Sequence, residues 1–337
     1  MRRTEQVLVV QLHRTKKLNA LSYGQLQALH AIVTDAVREE RKIVLCGEGS
    51  HFCCGGDVIH MYKQPPHGHH YLRAAYTLFL RLNAYMKTKA VVMKGFVMGT
   101  GAGFAATANI RIGLRTLQWG FPECANGSLP DMGATFLLGE LKPAGVGLYL
   151  SLTGEKLSAA DCYELGIITH YLASEALEKE MIADMERNGQ LLATADQYHT
   201  APPESAYALR PCLAAISRCF SEVNSVEEVL FRLNRDASKD WATRTLHTLR
   251  ESCPYVTHLA LNCLLRNAGL TYSQCMRQEF LWDCNVYDKR YTNYHIGIAH
   301  KFQLRRLGRP PWQPATLEQV TEAAVTEFFE DHTFPTL

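Results

Sequence analysis

FPECANGSLPDMG occupies residues 121–133 and carries two acidic residues, Glu123 and Asp131, each directly after a proline. A proline fixes its own φ and pushes the residue before it into an extended conformation, so both carboxylates are expected at defined bends. Two carboxylates that face one cavity are a common acid–base or nucleophile pair. A Pro-Glu or Pro-Asp step is also typical of a solvated turn, so the rest of the chain must decide between these interpretations.

The composition is that of a large globular protein. The chain has 337 residues, of which 47% are hydrophobic and 20% are charged, and its net charge is +2. A chain of this length buries on the order of 75% of its unfolded surface. The near-neutral charge neither indicates nor excludes nucleic acid. No apolar run reaches the roughly 18 residues of a membrane span, and no signal-peptide pattern is present, so we expect no membrane partner.

The eleven cysteines are scattered and form no C-x-x-C pair. This spacing supports neither a zinc ribbon nor a thioredoxin-like redox motif, and we expect no bound metal. Most of the cysteines lie in apolar stretches, which is typical of reduced, buried thiols in a reducing compartment. Three histidines within residues 65–70 are compatible with a metal site or a solvated loop, and we predict the loop.

Strands and helices alternate in the first half of the sequence, which indicates an α/β fold. The predicted strands cover residues 7–12, 42–46, 90–93 and 110–114, and the predicted helices cover 23–40, 71–86 and 102–108. Residues 207–300 have almost only helical periodicity, and a last helix is predicted at 317–329. We therefore predict a core domain at 1–190, a polar linker at 191–206, a helical region at 207–304, and a basic, proline-rich strip with a terminal helix at 305–337.

Two glycine-bearing turns precede the carboxylates, FCCGGD at 52–57 and GFVMGTGAG at 95–103. Glycines let backbone N–H groups point into a cavity, and two such groups aimed at one point make an oxyanion hole for an acyl group. A dinucleotide-binding G-x-G-x-x-G motif is excluded because Phe104 stands where the last glycine is required, and the Gly-Lys-Ser/Thr of a P-loop is absent. Each turn taken alone is also explained by tight packing.

Taken together and in this order, the motifs resemble the crotonase (enoyl-CoA hydratase/isomerase) superfamily. They are RTKKLNAL at 14–21, the two glycine-bearing turns, and the carboxylate stretch. The Pro-Asp-x-Gly step and a long helical C-terminal part with Ser-Cys-Pro at 252–254 resemble the 3-hydroxyisobutyryl-CoA hydrolase branch. The resemblance covers roughly residues 7 to 329.

The resemblance implies an α/β fold with a crotonase-type ββα spiral core followed by an extended α-helical C-terminal region. It implies an acyl-CoA substrate and no metal or redox cofactor. The backbone N–H groups of Gly56 and Thr100 would hold the thioester oxygen, Glu123 would attack the thioester or activate water, and Asp131 would assist. The remaining positions implied to bind substrate are Asn19, Ala20, Gly55, Asp57 and Gly99.

Three departures from the family pattern affect the acyl pocket. Thr100 replaces a glycine, and its β-branched side chain is expected to resist a positive φ and to crowd the thioester. Ala75 stands where the hydrolase branch keeps a substrate-facing glutamate. Ile296-Gly297-Ile298-Ala299 replaces Glu-Gly-Val-Arg, so two charges are lost.

These departures lead to two functional hypotheses, both of which place the chain in mitochondria. The favoured one is a weak or non-catalytic hydrolase-like protein that serves as a structural subunit of an assembly such as the mitochondrial ribosome, with ribosomal RNA and proteins as neighbours. Its candidate phosphate contacts form a basic strip of Lys301, Arg305, Arg306 and Arg309. The alternative is an active thioester hydrolase that releases 3-hydroxyisobutyrate and CoA in valine breakdown.

Overall fold

The computed structural model describes residues 1–63, 65–288, 291–304, 308–331 and 337, and it describes no side chain at 65–68 or 303. The chain forms two compact units, each built from separate stretches of sequence. The first comprises Met1–Gly56, Thr77–Gly120 and Lys156–Arg210, and the second comprises Asp57–Tyr76, Phe121–Glu155 and Pro211–Leu337.

The first unit is built on two sheets. A six-stranded sheet has the order β1-β2-β3-β4-β6-β9 and is parallel except for β1, and a three-stranded sheet has the order β5-β7-β8. The strands are β1 (Arg2–Arg3), β2 (Val7–Leu12), β3 (Lys42–Gly47), β4 (Lys89–Met93), β5 (Phe96–Met98), β6 (Ile110–Leu114), β7 (Gln118–Gly120), β8 (Leu157–Ser158) and β9 (His170–Leu172).

Helices account for most of the remaining structure. They are α1 (Tyr23–Arg38), α2 (Val58–Lys63), α3 (Pro65–Ala84), α4 (Thr100–Gly103), α5 (Ala134–Gly139), α6 (Val146–Thr153), α7 (Ala159–Glu164), α8 (Ala176–Asn188), α9 (Leu191–Tyr198), α10 (Leu213–Phe220), α11 (Val226–Arg235), α12 (Lys239–Glu251), α13 (Pro254–Asn267), α14 (Tyr272–Tyr287), α15 (Asn293–Ile298) and α16 (Glu322–Glu330). The α/β class predicted from the sequence is confirmed.

The core of the first unit follows from the apolar strands. Val44, Val92 and Ile112 lie on the large sheet and are almost fully buried against α8 and α9. At the N-terminus of α1, Ser22 accepts a hydrogen bond from the backbone of Gln25, whose side chain in turn accepts from the backbone of Ser22. This reciprocal cap satisfies two otherwise unpaired N–H groups and explains why the predicted helix begins there.

The second unit is helical, with α13 packed against α5, α6, α12, α14 and α16. Helix α14 has ten buried residues, among them two acids, Glu279 and Asp283. Buried acids in an otherwise packed helix need partners, because an unpaired buried charge is costly. This unit contains the whole carboxylate stretch.

Several predicted boundaries are wrong. The linker at 191–206 begins with α9, because Leu191 and Ala195 are buried in the core of the first unit. The core domain is not continuous through residue 190, since Phe121–Glu155 belongs to the helical unit. The predicted loop at 65–70 is the start of α3. The predicted helix at 102–108 is α4 followed by a 3-10 turn at Phe104–Thr107, and the last helix begins only at Glu322, after Thr321 caps it.

None of the eleven cysteines, all of them described in the structure, forms a disulfide, and nine of them are buried. Burial raises the pKa of Cys46 to about 11 and that of Cys53 to about 12, so both thiols stay protonated at neutral pH. Among the described helices, none is both long and apolar enough to cross a membrane.

Candidate active site

The two glycine-bearing turns run side by side in the first unit. The N–H of Cys53 donates to the carbonyl of Phe96 at 3.3 Å, and the N–H of Met98 donates to the carbonyl of Cys53 at 3.1 Å. The carbonyl of Gly55 accepts from Leu21 at 2.8 Å. Within the part of the chain that the structure describes, the N–H groups of Gly56 and Thr100 donate to no backbone carbonyl. An oxyanion hole requires N–H groups that are unpaired in this way.

The strain predicted at Thr100 is wrong. Gly99 takes the left-handed φ of 51°, and Thr100 is the first residue of α4, with a helical backbone. A β-branched residue adopts helical φ without difficulty, whereas the conformation of Gly99 favours glycine. Thr100 is only 5% exposed, so its side chain is packed inside the first unit.

Gly101 is required for a close approach between the turns. A Cβ at this position would lie 2.2 Å from the carbonyl oxygen of Cys53. Because that neighbour is backbone, it cannot move aside as a flexible side chain would. The tight-packing interpretation therefore holds at Gly101, while Gly99 and Thr100 set the direction of the turn.

Two of the predicted substrate-binding side chains serve the fold. The Oδ1 of Asn19 accepts from Arg14, and its Nδ2 donates to the carbonyls of Glu48 and His51 at 2.9 and 2.7 Å. Asp57 accepts from the N–H of His60 at 3.1 Å and so caps α2. Asn19 is fully buried, and substrate binding at Asn19 and Ala20 stays a prediction.

Glu123 lies on a single 3-10 turn, Glu123–Asn126, which Gly127 closes with a left-handed φ of 79°. One carboxyl oxygen of Glu123 is buried and makes no hydrogen bond. Burial and the nearby Asp131 raise the pKa of this carboxyl well above its usual range.

Asp131 follows Pro130 and precedes Met132, which has a positive φ of 53° although it is not glycine. A bulky residue in this region is strained, and such strain persists where the surroundings fix the backbone. Asp131 is 7% exposed, and burial together with the charge of Glu279 raises its pKa to about 7. The Pro-Asp step is thus a buried turn, and the solvated-turn interpretation is wrong here.

Glu279 on α14 holds this turn in place. It accepts from the N–H of Gly133 at 2.6 Å, from the N–H of Thr135 at 2.8 Å, and from the Thr135 hydroxyl. Asn267 donates to the same hydroxyl at 2.8 Å. These donors favour the ionised form of Glu279, but burial is stronger and raises its pKa to about 7.

Asp283 lies one helical turn after Glu279 and is 1% exposed. Its Oδ2 accepts from the hydroxyl of Tyr76 at 2.5 Å. Burial and the charge of Asp131 raise the pKa of Asp283 well above its usual range. The second unit therefore contains a cluster of four carboxyl groups, from Glu123, Asp131, Glu279 and Asp283, which we call the acid cluster.

Sequence reasoning missed both acids on α14. Their signal was the i, i+4 spacing of two carboxylates in a helix whose neighbours, Phe280 and Trp282, are apolar. Among the residues with described positions, no three His, Cys, Asp or Glu side chains are arranged to hold a metal ion.

The two other departures from the family pattern are at Ala75 and at residues 296–299. Each adjoins a residue or turn that belongs to or contacts the acid cluster. Ala75 is fully buried and immediately precedes Tyr76 on α3. Gly297 packs on the Glu123 turn, since a Cβ there would lie 2.1 Å from the carbonyl oxygen of Asn126. This contact requires a small residue, and the nearby Ile296 and Ala299 carry no charge.

The basic strip is not a continuous exposed surface. The ammonium of Lys301 donates to the carbonyl of Ala125 and to Asn126, so it supports the Glu123 turn, and the phosphate contact at Lys301 stays a prediction. Arg309 is half-buried, and the Nε of its guanidinium has no hydrogen-bond partner. Trp312 is buried and donates to the carbonyl of Glu251 at 3.2 Å. The other two predicted contacts, Arg305 and Arg306, lie outside the described residues.

The chain is similar in sequence and in structure to known proteins. The chain is 30% identical to the probable 3-hydroxyisobutyryl-CoA hydrolase 2 of Arabidopsis thaliana, covering 96% of this chain and 89% of the relative. It is 26% identical to the mitochondrial 3-hydroxyisobutyryl-CoA hydrolase of Homo sapiens, covering 96% and 86%. A solved carnitinyl-CoA dehydratase from Mycobacterium thermoresistibile superposes with a TM-score of 0.87 at 27% identity, covering 97% of this chain and 94% of that one.

A second solved structure, an enoyl-CoA hydratase from Rhodobacter sphaeroides 2.4.1, also gives a TM-score of 0.87, at 26% identity, and covers 98% of this chain and 97% of that one. The predicted crotonase-type fold is thereby confirmed. The family model described as enoyl-CoA hydratase/isomerase matches residues 7–329. The chain belongs to the enoyl-CoA hydratase/isomerase family.

Proposed function

We propose that the chain hydrolyses acyl-CoA thioesters, with a short hydroxyacyl group of the 3-hydroxyisobutyryl class as substrate, and that it turns over slowly at neutral pH. The observation that carries the proposal is the buried carboxyl oxygen of Glu123 that makes no hydrogen bond. Native folds rarely leave a buried polar atom unpartnered, and a binding or catalytic role is one explanation when they do. The hydrolase names of the relatives support the substrate class.

In the proposed reaction, the carboxylate of Glu123 attacks the thioester carbonyl carbon or removes a proton from an attacking water. If Glu123 attacks, the C–S bond breaks as an acyl–Glu123 anhydride forms, the CoA thiolate takes a proton from Asp131, and water then cleaves the anhydride to release the hydroxy acid and restore the carboxylate. If Glu123 acts as a base, the water adds directly, the C–S bond breaks, and the proton that Glu123 removed passes to the CoA thiolate. The N–H groups of Gly56 and Thr100 are assigned to the thioester oxygen, where one donor typically contributes about 10²–10³ in rate. Asp131 is assigned to proton transfer with Glu123.

The protonation state of Glu123 is the reason for slow turnover. Burial and Asp131 raise its pKa well above the usual range. A protonated carboxyl is neither a nucleophile nor a base, so only the ionised fraction of the protein is competent. We expect kcat/KM to rise as the pH increases through and above neutrality.

The test is release of CoA thiol from 3-hydroxyisobutyryl-CoA by purified protein. Glu123→Gln should lower the rate to background, while Glu140→Gln, which changes an exposed carboxylate, should leave it unchanged. If wild type shows no release above the Glu123→Gln variant between about pH 6 and pH 9, the hydrolase proposal is wrong.

We propose that the protein discriminates only weakly between acyl groups with and without a hydroxyl group. Ala75 offers no polar contact to a hydroxyl group, and a pocket without such a contact rejects an analogue lacking the hydroxyl only weakly. We expect kcat/KM for isobutyryl-CoA to lie within about 10-fold of that for 3-hydroxyisobutyryl-CoA. A ratio above about 10³ would require a hydroxyl-binding group that this proposal does not contain.

A structural role in a mitochondrial ribosomal subunit is the alternative proposal, favoured by the uncharged side chains of Ala75, Ile296 and Ala299. Lys301, one of its candidate phosphate contacts, also donates to the carbonyl of Ala125. A mitochondrial location is proposed for either function because relatives from Dictyostelium discoideum and Homo sapiens are named mitochondrial. The test is sedimentation of mitochondrial lysate, in which a ribosomal subunit travels with the particles and detaches at raised salt, whereas a free enzyme stays at the top.

A further inference from the structure

The position of the Glu123 carboxyl depends on the backbone of the turn that carries it. One oxygen of this carboxyl is buried and makes no hydrogen bond, so no partner holds it in place. The turn itself, Glu123–Asn126, is closed by the N–H groups of Gly127 and Ser128, which both donate to the carbonyl of Glu123, the latter at 3.2 Å. Whatever holds this turn therefore also sets where the carboxyl lies.

The indole ring of Trp312 lies beside two glycines that leave room for it. A Cβ on Gly127, the residue that ends the turn, would lie 3.1 Å from Cζ3 of Trp312, and a Cβ on Gly297 of α15 would lie 2.8 Å from its Cη2. Both atoms belong to the outer edge of the indole. The same Cβ on Gly297 would lie 2.1 Å from the carbonyl oxygen of Asn126. The indole, the turn and α15 therefore meet without space for a further methyl group.

We propose that Trp312 is a positioning residue for the hydrolysis proposed above: its indole ring fills the space between the Glu123 turn and α15, and so fixes where the Glu123 carboxyl lies. The inference rests on the proposed function for its catalytic consequence. The contact between the indole and the turn can be tested without turnover.

Trp312 is itself held by polar contacts. It is 3% exposed, and its Nε1 donates to the carbonyl of Glu251 at 3.2 Å. The next residue, Gln313, donates from its N–H to Oδ1 of Asn293 at 3.0 Å, and its carbonyl accepts from Nδ2 of the same side chain at 2.5 Å. Asn293 begins α15, and a Cβ on Gly127 would lie 2.4 Å from its carbonyl oxygen. The segment that carries Trp312 is thus bonded to the helix that contacts the turn.

Trp312 acts at the end of the turn that could most easily change conformation. Earlier in the turn, the carbonyl of Cys124 accepts from the N–H of Cys253 at 3.0 Å, and the carbonyl of Ala125 accepts from the ammonium of Lys301. Gly127 has a left-handed φ of 79°, and a glycine has more backbone conformations open to it than any other residue. A buried ring packed against Gly127 removes that freedom.

A shift of the turn should affect the chemical step more than substrate binding. The Glu123 carboxyl must face the thioester carbon or its attacking water, and a displacement of about 1 Å can cost about 10² in rate. The thioester oxygen is assigned to other groups, the N–H groups of Gly56 and Thr100. Loss of the indole should therefore lower kcat and leave KM almost unchanged.

The first test measures hydrogen–deuterium exchange of the two backbone amides that close the Glu123 turn. Trp312→Leu should raise their exchange rates by about 10-fold or more beyond the effect of its change in unfolding free energy. Trp241→Leu is the matched control, because it removes a buried indole of the same unit that contacts the rings of Tyr149 and Phe220 instead. Equal corrected rates in the two variants would overturn the inference.

The second test separates kcat from KM for release of CoA from 3-hydroxyisobutyryl-CoA. Trp312→Leu should lower kcat by about 10- to 100-fold and change KM by less than about 3-fold. Trp241→Leu should keep kcat per folded molecule within about 2-fold of wild type. The positioning role is wrong if Trp312→Leu exchanges faster at the turn but keeps the kcat of the control.

A milder variant keeps the inference testable if Trp312→Leu does not fold. Trp312→Phe loses the bond to Glu251 and the outer part of the indole but keeps an aromatic ring, so it should change amide exchange and kcat in the same directions by smaller factors. If wild type releases no CoA, the proposed function is wrong, and amide exchange still decides whether Trp312 holds the Glu123 turn.

Discussion

The paired glycine turns of the first unit and the acid cluster of the second are built in different ways. The turns use backbone groups, and their geometry depends on two short stretches of sequence that lie side by side through main-chain hydrogen bonds. The acid cluster uses side chains from two distant stretches, the 121–133 stretch and α14, and Tyr76 on α3 donates a hydrogen bond to it. Backbone geometry tolerates a change of side chain, as Thr100 demonstrates, whereas the acid cluster depends on the side chains themselves.

This difference predicts that single substitutions have larger and less local effects in the acid cluster. A buried donor that loses its acceptor retains the full cost of its desolvation. In the glycine turns, only positions with a close backbone neighbour or a positive φ should be sensitive. The following predictions test that contrast in order of expected effect.

Glu279→Ala should destabilise the protein by about 3–5 kcal/mol, because the N–H groups of Gly133 and Thr135 and the Thr135 hydroxyl lose their acceptor. Glu279→Gln is the matched control, since its amide oxygen keeps part of this acceptance, and it should cost about 1–2 kcal/mol. Urea unfolding followed by tryptophan fluorescence measures both. Equal losses for the two variants would show that the contacts of Glu279 do not hold the turn.

Gly101→Ala should cost about 2–3 kcal/mol, because the new Cβ would lie 2.2 Å from the carbonyl oxygen of Cys53. Gly139→Ala is the matched control at a glycine of α5 with nothing within 4 Å of the added Cβ, and it should be neutral or stabilise by up to about 1 kcal/mol. The same unfolding assay applies. A Gly101 variant as stable as the control would contradict the close approach between the two turns.

The acid cluster should make stability fall as pH rises from about 4 to about 8. Asp131 and Glu279 have folded-state pKa values of about 7, above those of the unfolded chain, so the folded state holds protons that the unfolded state releases. Their contribution is complete below the unfolded pKa and is lost as pH passes through the folded value. Asp131→Asn should reduce this fall by about 1–2 kcal/mol, measured as the difference in unfolding free energy between the two pH values. An identical pH slope in wild type and Asp131→Asn would remove Asp131 from the titrating cluster.

The sequence could predict features built from neighbouring residues, but not contacts between residues that are distant in the chain. The strands, the capped α1, the glycine turns and the Glu123–Asp131 pair were predictable because each depends on neighbouring residues in the chain. Glu279, Asp283 and Tyr76 were not, because only the folded second unit brings them to Asp131. The support that Lys301 gives to the Glu123 turn was not predictable for the same reason, because its partner, Ala125, is 176 residues away. Linker and loop predictions at 191–198 and 65–70 failed where polar composition concealed helices.

Thr100→Gly is expected to have the smallest effect. It separates the two consequences that the sequence predicted for Thr100, backbone strain and crowding of the thioester. The backbone of Thr100 is helical, so glycine relieves no strain there, and greater freedom of the unfolded chain should cost about 0.5–1 kcal/mol. If the Thr100 side chain crowds the thioester, kcat/KM should rise by about 3–10-fold, less than the loss of an oxyanion donor would cost. Thr100→Ser is the matched control, since it keeps the hydroxyl and removes only the methyl group. A rise in both variants would assign the crowding to the methyl group, whereas no rise in either would show that the turn presents its N–H group regardless of the side chain it carries.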